Sequence, residues 1–295
     1  MRRGESIHEA KESSLTGDTG QEQILMMQDI TSRYGKWSLV AGAAEGIGKA
    51  FSLALARRGS GVILVDEKKD LMERVADGLE TRYHVPARSI NLDLASDESA
   101  GVLMEVIKET ACRMIIYNAA YSRVQKFTGY SPEELERYIR VNVNTPMQLL
   151  HKFTQFHSGT PDQRKGIIVM SSMAGSWGTG LLAPYGATKA FARNLAESLY
   201  FELKADGFDV LSCIAGATRT PGFLASGPEG GKRMFPVMSP GKVVEASLDS
   251  LGKKPGVVPG FRNRINYFML SRILSRNRAA GIMNRAVGKI YRDKL

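Results

Sequence analysis

The sequence predicts an α/β fold: a single doubly wound domain on a mostly parallel sheet of about seven strands, followed by a helical C-terminal extension. The main observation is that short apolar runs alternate with stretches of helical spacing along most of the 295 residues. Apolar strands separated by helices are typical of parallel strands that are buried on both faces. The alternation stops after residue 260, and the last 35 residues carry nine basic side chains and one acidic side chain.

Six apolar runs of four to six residues are short enough to favour strands over helices. They cover residues 37–41, 61–65, 87–92, 114–117, 166–171 and 210–214. The intervals between them have helical spacing. The predicted helices cover residues 47–58, 69–83, 100–110, 132–156 and 185–205, and another begins at Ser239-Pro240.

The chain divides into three parts. Residues 1–20 are polar and lack periodicity, so we expect a disordered N-terminal extension. Residues 21–260 form the main domain, in which residues 217–240 are rich in Gly and Pro. This segment follows the carboxyl end of a predicted strand, where α/β proteins bind ligands, so we interpret it as a lid. Residues 261–295 form a basic amphipathic helical extension.

Composition and charge narrow the class of protein. The chain is 43% hydrophobic and 24% charged, which is a globular composition. No apolar run approaches the roughly 18 residues of a transmembrane helix, and the first ten residues lack the apolar segment of a secretory signal. Cys112 and Cys213 lie in apolar stretches and are predicted to be reduced and buried. We therefore expect a cytoplasmic protein, and we expect no metal site.

A glycine-rich turn follows the first predicted strand. Gly42, Gly46 and Gly48 lie between that strand and the next helix, and Glu45 and Ile47 belong to the same turn. Glycines here allow the backbone to turn tightly and to approach a pyrophosphate, whose charge is met by the helix N-terminus. The trio opens a strand–helix–strand unit, which predicts a Rossmann-type dinucleotide site.

An acidic residue ends the second predicted strand. Asp66 lies 18 residues after the third glycine, where a carboxylate accepts hydrogen bonds from both ribose hydroxyls and repels a 2′-phosphate. Glu45 adds a second negative charge, while Lys68 and Lys69 begin the next helix and are expected to face solvent. The charges favour NAD over NADP. The alternative interpretation is that Asp66 only caps the following helix.

A tyrosine and a lysine four residues apart open another predicted helix. This spacing puts Tyr185 and Lys189 on one face. A phenol has a pKa of about 10 and is a poor base at neutral pH, but a neighbouring ammonium group favours the phenolate. Ser172 follows a predicted strand, so its hydroxyl can bond a substrate oxygen while Tyr185 exchanges the proton.

In these motifs and their order, the chain resembles the short-chain dehydrogenases/reductases, over about residues 31–260. The resemblance implies a catalytic group of four, in which Asn142 joins Ser172, Tyr185 and Lys189. It also implies that Tyr185 and Lys189 contact the dinucleotide. Further dinucleotide contacts implied by the resemblance are Asp93, Leu94, Asn118, Ala119, Thr218 and Thr220.

Four residues depart from the family's motifs: Ala41, Tyr117, Ala120 and Ala215. Tyr117 stands where the family has Asn, and we expect it to cost hydrogen bonds between the motifs or to change packing near the sheet centre. None of the four departures removes a catalytic side chain. They affect the placement of the nicotinamide rather than the reaction.

The implied reaction is the reversible, NAD-dependent conversion of a secondary alcohol to a ketone. Ser172 would orient the substrate hydroxyl, Tyr185 would remove its proton, and hydride would pass to the nicotinamide. Lys189 would hold the nicotinamide ribose and lower the Tyr185 pKa, while Asn142 would anchor a water that relays the proton outward. A non-catalytic dinucleotide-binding regulator is the alternative class of function, and the intact catalytic four argues against it.

The substrate is predicted to be lipophilic, because Phe223 and Met234 lie on the lid and Trp177 lies near the catalytic serine. Packing of the lid's apolar side chains on its own underside is the alternative. A narrower resemblance, at residues 33–37 and 290–293, is to bile-acid 7β-hydroxysteroid dehydrogenases, and long-chain 3-oxoacyl reductases share the first of these segments. We therefore expect a hydroxysteroid, with a long-chain 3-oxoacyl group or another bulky ketone as the alternative.

The basic extension is predicted to form one or two amphipathic helices. One interpretation packs them over the substrate cleft or at a subunit interface, and another lays residues 261–295 on an anionic membrane surface. Nucleic acid is not expected as a partner, because the chain has no groove-reading motif. A homodimer or homotetramer is expected.

Overall fold

A seven-stranded parallel sheet forms the centre of the fold, in the order β3-β2-β1-β4-β5-β6-β7. The computed structural model describes residues 30–227 and 236–294. The predicted disordered extension at residues 1–20 and the predicted substrate residue Met234 lie outside the described residues. The strands are β1 (Trp37–Ala41), β2 (Gly61–Asp66), β3 (Ala87–Asn91), β4 (Met114–Tyr117), β5 (Lys165–Ser172), β6 (Phe208–Ala215) and β7 (Gly256–Val257).

Helices cover both faces of this sheet. Within the described residues they are α1 (Gly46–Arg57), α2 (Lys69–Tyr83), α3 (Ser99–Thr110), α4 (Pro132–Ile139), α5 (Thr145–Phe156), α6 (Ala183–Glu202), α7 (Pro221–Ala225), α8 (Pro240–Leu248), α9 (Phe261–Phe268) and α10 (Arg276–Ile290). Side chains of α1, α2 and α8 form the core on one face of the sheet, and side chains of α3, α5 and α6 form it on the other.

Strand β2 shows why the apolar runs are continuous. Val62 and Leu64 belong to one core, while Ile63 and Val65 belong to the other. Successive side chains of a strand point to opposite faces, so a strand between two helical layers needs apolar residues at every position. This confirms the predicted doubly wound α/β class. Both cysteines are also buried, as predicted.

The observed elements differ from the predicted ones in two places. Strand β7 has only two residues, too few to leave an apolar run in the sequence. The helix predicted over residues 132–156 is divided by a π-helical turn, Arg140–Asn144. Pro146 lies in the first turn of α5 and has no N–H to donate to the Asn142 carbonyl, so the α-helical ladder is interrupted here.

The C-terminal extension is helical, as predicted. Helix α9 continues into a π-helical turn, Met269–Ile273, and α10 follows it. Met283 and Val287 of α10 are buried against the main domain. In the part of the chain that the structure describes, no helix is both long enough and apolar enough to cross a membrane.

Candidate active site

The carboxyl ends of the parallel strands bring the predicted site residues to one edge of the sheet. Ala41 at the end of β1 is paired with Val65 of β2 and with Tyr117 of β4. Tyr117 is in turn paired with Val169 of β5. The residues that follow these strand ends therefore lie side by side, although they are far apart in sequence.

The glycine turn after β1 is tightly packed against its own backbone. Gly42 has a φ of +77° and Gly46 a φ of +59°, conformations that glycine adopts without steric penalty. A Cβ on Gly48 would lie 1.7 Å from the Gly42 carbonyl oxygen. That oxygen also accepts a hydrogen bond from the Asn118 side-chain amide at 2.9 Å. The turn thus requires glycine at Gly48 and is tied to the end of β4.

The N-terminus of α1 lies at a pocket of about 320 Å³. Glu45 precedes the first turn of α1, but its side chain does not cap the helix. It pairs with the Lys68 ammonium group instead, at 2.8 Å. The first amides of α1 therefore remain for a ligand anion, and the pyrophosphate of a dinucleotide fits them. Ten of the predicted residues line this dinucleotide pocket: Gly42, Glu45, Gly46, Ile47, Asp66, Asp93, Leu94, Asn118, Ala119 and Thr220.

Asp66 stands at the end of this pocket with its charge unpaired. Its Oδ2 accepts a hydrogen bond from the Ala44 amide at 2.9 Å, and its Oδ1 accepts one from the Lys68 amide at 3.0 Å. These amides position the carboxylate without neutralising it. Its remaining lone pairs are available to ribose hydroxyls.

Arg137 of α4 crosses the adenosine end of the pocket. Its guanidinium lies 2.8 Å from the Asp93 carboxylate and 2.7 Å from the Glu67 carboxylate. Both basic side chains among the described lining residues, Arg137 and Lys68, are therefore already paired with acids. The lining has four acidic side chains against these two cations, which makes the adenosine end of the pocket net negative.

Ser172, Tyr185 and Lys189 meet beside the carboxyl end of β5. Ser172 is the last residue of β5, and the other two lie in the first two turns of α6. The Ser172 hydroxyl lies close enough to the Tyr185 side chain to act on its pKa. The Lys189 ammonium donates to the Met170 carbonyl at 2.8 Å and lies 5.8 Å from the centre of the Tyr185 ring. The structure therefore brings these three predicted residues together.

Burial shifts the pKa of both ionisable groups toward the neutral form. It raises the pKa of Tyr185, an effect that the nearby Ser172 hydroxyl opposes. It also lowers the pKa of Lys189 to about 8. The predicted lowering of the Tyr185 pKa by Lys189 therefore differs from what the structure shows. A water-poor site disfavours charge on the phenol and on the ammonium group alike.

The Asn142 side chain links two segments that carry site residues. It lies in the π-helical turn and is 4% exposed. Its amide donates to the Tyr121 carbonyl and to the Thr188 hydroxyl, both at 3.0 Å, and its oxygen accepts from the Tyr121 amide at 2.8 Å. Both amide hydrogens are used within the protein. The side chain therefore joins the segment after β4 to helix α6 and positions that helix. The predicted role was a different one, in which Asn142 anchors a water.

A cavity of about 890 Å³ opens over the catalytic residues. Its walls include Phe223 of α7 and Met283 and Val287 of α10. The Tyr291 hydroxyl lies 3.0 Å from the Ser226 hydroxyl, which links the C-terminal extension to the segment after α7. The residues that line both this substrate cavity and the dinucleotide pocket are Ile47, Asn118, Ala120, Tyr121, Thr220 and Gly222. The two spaces therefore adjoin.

A family model supports the assignment that this arrangement suggests. The model for short chain dehydrogenases matches residues 36–228, which include the glycine turn and all four predicted catalytic residues. The chain belongs to the short-chain dehydrogenase family. It is therefore an oxidoreductase for alcohols and ketones that binds a nicotinamide dinucleotide, the group that takes up or delivers the hydride.

Three comparisons describe its relatives. The chain is 31% identical to the 7beta-hydroxysteroid dehydrogenase of Clostridium sardiniense over 237 residues, or 80% of this chain and 90% of that protein. A solved structure of a 7beta-hydroxysteroid dehydrogenase superposes with a TM-score of 0.78 at 26% identity, covering 86% of this chain and 98% of that one. The human inactive hydroxysteroid dehydrogenase-like protein 1 is 30% identical over 190 residues, 63% of this chain and 57% of that protein. Similarity at this level thus extends to a protein named as inactive.

Tyr117, which departs from the motif of this short-chain dehydrogenase family, adds a hydrogen bond. Its hydroxyl donates to the Val141 carbonyl at 2.7 Å, and the whole side chain is buried. Val141 precedes Asn142 in the π-helical turn. The tyrosine therefore anchors the turn that carries Asn142. The expectation was that Tyr117 would cost hydrogen bonds, whereas its hydroxyl forms one.

The structure corrects one predicted substrate residue, Trp177, and separates two predicted dinucleotide contacts, Thr218 and Thr220. Trp177 does not line the substrate cavity; its ring packs on Tyr267 of α9, with centroids 5.5 Å apart. The C-terminal extension covers this tryptophan, which distance along the chain did not reveal. Thr218 lines only the substrate cavity, whereas Thr220 lies where the cavity meets the dinucleotide pocket.

Sequence reasoning missed several lining residues of this short-chain dehydrogenase. Arg137 lies within a predicted helix, and no local signal marks it as a neighbour of Asp93. Tyr121 follows the Asn118 motif by three residues and lines both spaces, so the motif's position at a strand end was the available signal. Val287 and Tyr291 had no local signal beyond helical spacing.

Proposed function

We propose that this short-chain dehydrogenase uses NAD to interconvert a secondary alcohol and a ketone on a bulky lipophilic substrate, and that this substrate is a hydroxysteroid. The observation that carries the proposal is the position of Ser172 and Tyr185 in a cavity of about 890 Å³ with apolar walls from Phe223, Met283 and Val287. A cavity of this size accommodates a rigid multi-ring alcohol, whereas a small polar alcohol would leave most of the cavity empty.

The chain's own side chains divide the work. The Ser172 hydroxyl binds the substrate oxygen, and the neighbouring Tyr185 hydroxyl exchanges the proton with it. Lys189 lies beside the Tyr185 ring, where its amino group would hold the nicotinamide ribose. Asn142 and Thr188 hold α6 in register with the segment after β4.

The preference for NAD is supported by the charges of the dinucleotide pocket. A 2′-phosphate would enter beside the unpaired Asp66 carboxylate, and the two described cations of the lining are committed to Glu45, Glu67 and Asp93. Binding a phosphate there would bring like charges together or break an existing ion pair. A ribose with two hydroxyls meets neither obstacle.

The steroid class is supported by the relatives as well as by the cavity. Both 7beta-hydroxysteroid dehydrogenase comparisons cover at least 80% of this chain. The very-long-chain 3-oxoacyl-CoA reductase of Candida albicans matches 79% of this chain, but at 26% identity and over only 68% of its own length, against 31% and 90% for the Clostridium sardiniense protein. The higher identity and the fuller match favour a hydroxysteroid over a long-chain 3-oxoacyl substrate.

The decisive experiment measures NADH and NADPH formation by the full-length protein with a panel of alcohols. The panel contains hydroxysteroids that differ in the position and configuration of the hydroxyl, long-chain 3-hydroxyacyl thioesters, and small alcohols such as cyclohexanol. We expect kcat/KM to be highest for a hydroxysteroid with NAD. Turnover of thioesters alone would replace the proposed substrate class, and NADP preference would overturn the cofactor assignment. Dinucleotide binding without any turnover would indicate a regulator.

A further inference from the structure

The C-terminal extension presents an apolar stripe that no described part of the protein covers. Its members on α9 and the following π-helical turn recur at helical spacing, and each is at least 46% exposed. The opposite side of the same segment packs inward through Asn263, which is 2% exposed, and Leu270, which is 7% exposed. The stripe consists of Phe261, Ile265, Phe268, Met269 and Ile273.

Basic side chains surround this stripe. Residues 261–292 contain eight Arg and Lys residues and no Asp or Glu. All eight are exposed, and none forms an ion pair within the described residues. Arg262 and Arg264 flank Phe261 and Ile265, while Arg272 lies beside Ile273. We call the stripe and these cations the basic apolar face.

We propose that the basic apolar face docks on the surface of a membrane that contains anionic lipids. An interfacial helix combines an apolar side that enters the acyl boundary with cations that bind anionic headgroups, and the basic apolar face has both features. Two aromatic side chains, Phe261 and Phe268, are 68% and 56% exposed and would enter the interface first.

Charge decides between this partner and a second copy of the chain. In a two-fold symmetric dimer the same patch meets itself, so the cations around one stripe would approach the cations around the other. Like charges across an interface oppose association. Nucleic acid would satisfy the cations but offers no apolar phase for five exposed hydrophobic side chains. An anionic bilayer satisfies both.

The basic apolar face belongs to the same C-terminal extension that lines the substrate cavity. Helix α10 lines the substrate cavity with Met283 and Val287, whereas its Arg278 and Arg285 face solvent. The same extension therefore touches the substrate on one side and would touch the bilayer on the other. A lipophilic substrate partitions into bilayers, so docking would bring the enzyme to its substrate. Docking on the bilayer does not require the proposed steroid activity.

The test is sedimentation of the full-length protein with lipid vesicles. We expect binding to vesicles of phosphatidylcholine mixed with phosphatidylserine, weak binding to phosphatidylcholine alone, and loss of binding at high salt. Phe268→Ser should weaken the partition coefficient at least about tenfold, because a buried phenyl group is lost. Replacing Arg272 and Arg278 together by Gln should weaken it about 25-fold, at about fivefold for each cation.

Matched controls remove the same groups elsewhere. Phe201→Ser on α6 removes a 71% exposed phenyl group, and Arg74→Gln with Arg82→Gln on α2 removes two exposed cations. Vesicle binding should not change in either control, and thermal melts should show all variants folded. Equal losses in controls and face variants would overturn the proposal. So would no binding to anionic vesicles, dissociation of an oligomer by Phe268→Ser without a change in vesicle binding, or DNA binding that matches vesicle binding.

Discussion

The dinucleotide pocket and the substrate cavity adjoin at the carboxyl edge of the sheet and share six lining residues, but the rest of their walls come largely from different parts of the chain. The dinucleotide pocket uses residues that directly follow β1, β2 and β4, and backbone amides and ion pairs fix its polar groups. The walls of the substrate cavity include the lid helix and α10, which come after the last long strand. Contacts near the strand ends therefore hold the dinucleotide pocket, whereas the shape of the substrate cavity depends on helices from later in the chain.

This comparison predicts that changes at the catalytic residues abolish turnover without loss of dinucleotide binding. Tyr185→Phe should lower kcat by about 10²–10⁴-fold, because it removes the proton-exchanging hydroxyl. Stopped-flow or steady-state rates measure kcat, and NADH fluorescence measures binding. Tyr200→Phe, on the same helix but in the core behind the sheet, is the control and should retain activity. Equal turnover in Tyr185→Phe and the unmodified enzyme would refute the catalytic assignment.

The charge of the dinucleotide pocket is tested by Asp66→Asn, which keeps the size of the side chain and its capacity to accept hydrogen bonds. The ratio of the NADPH and NADH dissociation constants should move toward NADPH by about ten- to a hundredfold, since the repulsion of the 2′-phosphate is removed. Isothermal titration calorimetry gives both constants. Asp70→Asn removes the same charge in the first turn of α2, outside the pocket, and should leave the ratio unchanged. If the ratio did not change in Asp66→Asn, the role of Asp66 would be limited to its hydrogen bonds with the Ala44 and Lys68 amides.

A change in the substrate cavity should affect substrate binding and leave dinucleotide binding unchanged. Val287→Phe narrows the cavity and should raise KM for a bulky alcohol about tenfold, with KM for cyclohexanol and the dissociation constant of NADH unchanged. Ile282→Phe places the same larger side chain on the solvent side of α10 and should have no effect on either KM. If Val287→Phe weakened NADH binding as much as substrate binding, the two regions would not be separable.

The pH dependence of stability tests the burial of Lys189, by comparing the unmodified enzyme with Lys189→Met. Lys189 has a pKa of about 8 in the folded protein against an ordinary value of 10.5. Between these two values the unfolded chain binds the proton and the folded chain does not, so this group makes stability rise with pH. Relative to Lys189→Met, the unmodified enzyme should gain about 1–2 kcal/mol in the free energy of unfolding between pH 8 and pH 9.5.

Urea unfolding of both proteins at the two pH values measures this gain. Below pH 8 the lysine is protonated in both states, so the difference between the two proteins should level off there. If the free energies of unfolding of the two proteins changed in parallel across the whole pH range, the pKa of Lys189 would not be lowered in the folded protein.

The smallest expected effect concerns the anchor of the π-helical turn. Tyr117→Phe leaves the Val141 carbonyl without its hydrogen-bond donor and should cost about 1 kcal/mol, or about 2–4 °C in Tm. Because that turn carries Asn142, kcat should also fall, and by more than in a control with the same loss of stability. Tyr83→Phe, which removes a hydroxyl from a half-buried tyrosine of α2, should change neither quantity. A drop in Tm with kcat intact would restrict Tyr117 to a structural role.

Much of the reaction centre was predictable because its residues stand next to strand ends that the apolar runs mark. The glycine turn, Asp66, Ser172 and the Tyr185–Lys189 pair lie at or beside the sheet edge where the spacing placed them. Parallel strands separated by helices leave their carboxyl ends on one edge, so position along the chain predicts position in space. The break at Arg140–Asn144 was not predictable from periodicity, which continues through it.

The recognition regions show what local sequence cannot determine. The spacing of Ile265, Phe268, Met269 and Ile273 predicted an amphipathic helix. The structure has one, but these four side chains are exposed and Leu270 is buried. Arg137 reaches Asp93 from 44 residues away, and Trp177 is covered by α9 rather than by substrate. The sequence by itself determined the elements, the chemistry at the strand ends and the sign of each charge. Only the tertiary structure decided which helix faces are covered and which charges are paired, because both depend on contacts between segments whose separation along the chain carries no periodic signal.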